Sequence, residues 1–92
     1  MTLKVTKIKD DRNKTGWVLM KVESGHKVHA KVYDEASEDY GINDGRVSKL
    51  QIDDDMGKVV FNYDRGHDVN DIDPDFLESV IAHLETLPQV FA

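Results

Sequence analysis

The chain contains no cysteine, which removes disulfides, thiolate metal sites and cysteine nucleophiles together. Long apolar runs are also missing. The longest is the four residues Trp17 to Met20, far short of the ~20 that a helix needs to span a bilayer. The first residues, MTLKVTKIKDD, alternate lysine with apolar side chains where a secretory signal would have a hydrophobic block, so an uncleaved cytoplasmic protein is expected. Phosphate-cradling signatures such as GxxxxGK are absent as well. Stability must then come from a packed core, or from a core helped by a second subunit.

What is present fits one domain spanning residues 1–92, with 39% apolar residues and no low-complexity stretch or internal repeat. The net charge of −6 is unevenly spread. Residues 1–31 hold eight Lys or Arg against three Asp or Glu, whereas residues 32–92 hold four against fifteen. Such asymmetry favours partners selected by charge, unless folding interleaves the two halves.

The hydrophobic pattern predicts five strands and one helix. Leu3 to Lys9 alternates lysine and threonine with apolar residues and reads as an edge strand, followed by an exposed polar hairpin loop, DDRNKTG. Trp17 to Val22 carries apolar groups on both faces, with Trp17 and Leu19 opposite Val18, Met20 and Val22. In the third strand, His26 to Asp34, Val28, Ala30 and Val32 point inward while Lys27, His29, Lys31 and Tyr33 share the other face. The connection Asp34 to Gly45 is acidic and twelve residues long, a length that tends to be functional or internally packed, with Tyr40 and Ile42 tucked beneath it. Arg46 to Asp53 and Lys58 to Asp64 form a hairpin around Asp54 to Gly57, and the acidic linker HDVNDID leads to the helix. Asp73 suits the N-cap, Pro74 the first helical position and Pro88 the stop, with Phe76, Leu77, Val80, Ile81, Leu84 and Leu87 as one stripe. The expected fold is therefore α+β, a five-stranded antiparallel meander with one C-terminal helix across a face (βββββα). One helix covers only part of such a sheet, which leaves Trp17, Leu19 and Tyr33 on the open side, where a homodimer would bury them.

Several motifs lose their chemistry on geometry. His26 and His29 lie three apart on a strand and point to opposite faces, so they do not chelate one ion. His83 has Leu87, not a ligand, at i+4. Asp71, Asp73 and Asp75 resemble the opening of a calcium loop, but Phe76 and Ala82 stand where glycine and glutamate are required. No cofactor or metal is expected. The acidic loop residues Asp34, Glu35, Glu38, Asp39 and Tyr40, with Arg46 and the cluster Asp64, Arg65, His67 and Asp68, are the candidates for contacting a protein partner. Two other classes stay open. One is a hydrolase or metal-dependent enzyme using Asp64, His67 and Asp68, in which an Asp-His pair orients an acid or base. The other is a nucleic-acid binder using Lys4, Lys7, Lys9, Arg12 and Lys14, which the overall acidity opposes.

The pair Gly16-Trp17, the block KVYDEASEDYGINDGRVSKL and the segment YDRGHD resemble a family of short uncharacterised bacterial and phage proteins. The likeness runs from Gly16 to Asp68, outside the first strand and the helix. It implies a phage, prophage or mobile-element setting and no mechanism. A small cytoplasmic interaction protein acting through its acidic loop is the resulting expectation.

Overall fold

The computed structural model of the chain describes residues 3–36, 41–42, 45–64 and 67–88, with the backbone alone at 67–69. Six strands, β1 (Val5–Asp11), β2 (Trp17–Val22), β3 (Lys27–Val32), β4 (Val47–Asp53), β5 (Val59–Asp64) and β6 (His67–Asn70), precede one helix, α1 (Pro74–Glu85). The strands form one sheet in chain order, each antiparallel to its neighbours. The expected meander closed by a C-terminal helix is what forms. Part of the segment read as a linker adds a short sixth strand, in which Asn70 pairs with Phe61 and Val69 with Asn62.

Alternation sorts the sheet into two faces. On the covered face the registers align Val18 with Ala30 and Leu50, and Met20 with Val28, Ile52 and Phe61. These residues form one core with Val80, Ile81 and Leu84 of α1, the helix's innermost positions. Burying each of the Val, Leu, Ile, Met and Phe side chains among them contributes about 1.5–3 kcal/mol. Pro74 opens the helix as expected. Asp73 occupies the N-cap position, but its carboxylate makes no capping hydrogen bond.

Arg46 and Glu85 tie the helix end to the sheet. The Arg46 side chain donates to the carbonyls of Tyr33 (2.7 Å), Glu85 (2.9 Å) and Leu87 (2.6 Å), placing a cation at the negative end of the helix dipole. In return the Glu85 carboxylate accepts from the backbone N–H of Arg46 (2.8 Å) and Val47 (3.3 Å). Ile42 is buried as expected, whereas Tyr40 lies outside the described residues. Among the described residues no helix is long and apolar enough to cross a membrane.

Candidate functional site

Among the described residues no helix lies on the opposite face of the sheet, and its pairings assemble side chains that are scattered along the chain. One row across the strands reads Lys7, Lys21, Lys27, Asp53. The next reads Lys9, Leu19, His29, Gln51, Asn62, and the third Asp11, Trp17, Lys31, Lys49, Asp64. Among the described residues six lysines thus share this face with three aspartates, and two of those aspartates are already engaged, Asp11 with Lys9 and Asp64 with Lys49, each at 3.6 Å. Lys7, Lys21, Lys27 and Lys31 have no carboxylate partner among the described residues. The asymmetry of the sequence therefore survives folding: the chain is acidic overall, yet this face is basic.

The face also holds apolar, aromatic and amide groups. Leu19 is 38% exposed and Tyr33 42% exposed, Trp17 is half-buried, and the Lys31 ammonium stands 5.9 Å from the centre of the Tyr33 ring. Trp17, Leu19 and Tyr33 are the residues expected on the open side. Two shallow depressions meet at Leu19 and His29. One, of about 260 Å³, is ringed by Lys7, Lys9, Lys21 and Lys27; the other, of about 530 Å³, runs past Trp17, Lys49, Gln51 and Asn62. The amides are held in a chain, with Asn62 Nδ2 donating to Gln51 Oε1 (3.3 Å) and Gln51 Nε2 to Asp53 Oδ1 (3.0 Å). Each amide nitrogen keeps a second hydrogen for a ligand.

Of the basic residues singled out in the first third, Lys7 and Lys9 sit on this face and Lys14 is exposed at the β1–β2 hairpin. Arg12, read as part of an exposed loop, is instead 2% exposed. Its Nε and Nη2 donate to Asp10 at 2.8 and 2.7 Å. Those side-chain hydrogen bonds lead in holding the Asp10 carboxyl below its ordinary value, against burial that pushes it up. Asp10 in turn raises the Arg12 guanidinium, with a smaller contribution from Asp34.

In the acidic connection, Asp34 is half-buried near Arg12 and Glu35 is exposed, while Glu38, Asp39 and Tyr40 lie outside the described residues. Arg46 commits Nε and Nη1 to backbone carbonyls, and its Nη2 is buried without a hydrogen-bond partner. Asp64 is exposed and paired with Lys49; Arg65 and the side chains of His67 and Asp68 fall outside the description. His26 and His29 do part, the His26 ring lying tilted against Phe76 of the helix with centroids 4.9 Å apart and His29 standing in the open-face row between Leu19 and Gln51. Lys21, Lys27, Lys31 and Lys49 are the residues that motif reasoning passed over. Period two already places Lys27, His29, Lys31 and Tyr33 together, and only strand register adds the rest.

Residues 14–87 match the family model described as Domain of unknown function (DUF7678). The match takes in the helix, and leaves β1 with Lys7 and Lys9 outside it. Comparison with curated proteins and with solved structures gives no match.

Proposed function

The chain belongs to the DUF7678 family, a domain of unknown function, and on that premise we propose that its open sheet face is a binding surface for single-stranded nucleic acid. The observation that carries this reading is the row of Lys7, Lys21 and Lys27 on three adjacent strands. Like charges directly opposite one another in a sheet destabilise it by about 0.2–1 kcal/mol per pair, and the row contains two such pairs. Phosphates laid along the row turn that repulsion into attraction and release counterions.

Beside the lysines, Trp17 and Tyr33 offer rings for unstacked bases, Leu19 an apolar floor, and Gln51 and Asn62 hydrogen-bonding groups for base edges. Stacking of this kind contributes about 1–3 kcal/mol per base. The face is broad and shallow, and presents neither helix nor ribbon to enter a duplex groove, which favours a single strand over a double one. An acidic polypeptide would engage the lysines but leave the rings and amides without a matched partner. A two-fold dimer through the same face would set lysine rows against each other, so charge opposes self-association there. Overall acidity keeps the rest of the surface from competing for phosphate. A cytoplasmic ligand of this kind fits the phage or prophage setting that the sequence resemblance implies.

Fluorescence anisotropy of a labelled oligothymidylate with hydroxyl ends tests the reading, with its duplex and poly-glutamate of equal charge as competitors. Binding to the single strand at about 50 mM salt, weakening steeply as salt rises, is expected, with both competitors inferior to unlabelled strand. Equal competition by poly-glutamate would move the assignment to an acidic protein partner. No binding at low salt would end it.

A further inference from the structure

Beside the open face, where the β1–β2 hairpin meets the end of β3, lies a cavity of about 390 Å³ lined by Arg12, Lys14, Thr15, Lys31 and Tyr33 among others. That volume is at the lower end of the ~300–1,000 Å³ usual for small-ligand sites. Arg12 forms part of its wall and is almost wholly buried. Asp10 occupies Nε and Nη2 of the guanidinium, while Nη1 is buried with no hydrogen-bond partner. A buried cationic donor left unpaired is costly, and rare enough to need an explanation. Asp10 fixes the guanidinium by a two-point fork and leaves one edge unused.

The other cations are brought to the same place by local geometry. Gly16 has φ +84°, and a Cβ added there would lie 3.3 Å from Lys31 Cε, so the Lys31 stem passes over the glycine and its ammonium reaches the Tyr33 ring. Lys14 is exposed at the hairpin tip, and neither Lys14 nor Lys31 has a carboxylate partner among the described residues. Among the described residues, the carboxylates acting on Arg12 are Asp10 and Asp34. Against these two, Arg12, Lys14 and Lys31 give the cavity a net positive charge among the described residues.

We infer that this cavity is a site for a phosphate monoester, carried either on the end of a nucleic-acid strand crossing the open face or on a free nucleotide. The group brings about two negative charges and three acceptor oxygens, which match one guanidinium edge and two ammonium groups. Lys31 and Tyr33 belong to both surfaces, so a strand laid across the sheet reaches the cavity with its terminus. The strand-end form of the proposal rests on the single-strand reading above; the free-nucleotide form stands without it.

The test compares one oligothymidylate with a 5′-phosphate, a 3′-phosphate or hydroxyls at both ends. A hydroxyl-ended strand one nucleotide longer controls for added charge, and thymidine monophosphate is the free ligand. One phosphorylated end is expected to bind about tenfold tighter than the longer hydroxyl-ended strand. Lys14→Gln is expected to remove most of that gain and leave hydroxyl-ended affinity unchanged. Arg12→Lys, which keeps the charge but not the fork, is expected to lose it as well; should it fail to fold, Lys14→Gln decides alone. Thymidine monophosphate binding that Lys14→Gln weakens, without binding of any strand, supports the site as a nucleotide pocket and rejects the strand reading. Hydroxyl-ended binding with no gain from either phosphate, and no monophosphate binding, overturns the phosphate site and leaves the strand reading intact.

Discussion

Replacing Lys21 with glutamine is expected to make the unliganded protein more stable and a poorer ligand binder. Lys21 is exposed and stands directly between Lys7 and Lys27. Each like-charge neighbour destabilises the sheet by about 0.2–1 kcal/mol, and exposure puts these pairs in the lower part of that range. Removing both gives a gain of about 0.5 kcal/mol, or about 2–4 °C in melting temperature for a domain of this size. The gain is electrostatic, so it should vanish in about 1 M salt, where the screening length falls to ~3 Å. Thermal melts followed by circular dichroism at low and high salt measure it. Lys58→Gln, at the β4–β5 turn beside Asp54 and Asp55, serves as the control with no expected gain. In the same variant the slope of log affinity against log salt for a single strand should shallow by about 0.7, the contribution of one phosphate contact. Most substitutions destabilise, which makes the expected sign informative. A Lys21→Gln protein that melts at or below wild type in low salt refutes the claim that the row is strained, and with it the argument that an anion is needed there.

Asp10→Asn tests the ion pair that holds the buried Arg12. Its carboxyl is held below the ordinary value chiefly by hydrogen bonds from Arg12, so its stabilisation is present above the unfolded pKa and lost as pH falls through the lower folded value. Solvent at Asp10, whose side chain is 36% exposed, should hold the loss to about 1–2 kcal/mol at neutral pH instead of the ~3–5 of a fully buried pair. Denaturant titrations should find that difference constant above about pH 5 and shrinking below about pH 4; a difference unchanged across the whole range contradicts the pairing. Gly25→Ala and Gly57→Ala form a matched pair, with φ +91° and +86°, so each should incur about 1–2 kcal/mol for a left-handed conformation. Only Gly25→Ala places its Cβ 2.8 Å from Asp55 Cβ, which should make it the worse by about 1 kcal/mol or more in the same titrations. Glu85→Ala removes the acceptor of the Arg46 and Val47 backbone N–H groups and should cost about 1–3 kcal/mol, with Glu85→Gln milder because one acceptor oxygen remains.

Periodicity made the architecture legible. Trp17–Val22 forms a strand over the expected residues, and its two faces divide as alternation requires. The helix stripe places Val80, Ile81 and Leu84 in the core as its spacing demands. Register was not legible, because it depends on turn geometry, which periodicity does not fix. The registers set by the β1–β2 and β2–β3 turns decide that Lys7 faces Lys21 and Lys21 faces Lys27, which turns an uneven charge distribution into a surface. Arg12 was hidden for another reason: a polar run reads as an exposed loop, yet Asp10 two residues earlier lies on the covered side, opposite Val18, and draws the guanidinium in. The short strand β6 lacks the apolar alternation that marks the others, and forms by backbone pairing along β5.

The chain contains a single tryptophan, and it lies in the third row of the open face, beside Lys31. Titration of hydroxyl-ended oligothymidylate at low salt, with excitation selective for tryptophan, is the direct measurement of the central claim. Stacking of a base on Trp17 predicts saturable quenching that is reversed by salt and abolished in Lys7→Gln/Lys21→Gln/Lys27→Gln. Binding that leaves the Trp17 emission unchanged, or quenching that survives loss of all three lysines, would contradict a nucleic-acid surface on this face.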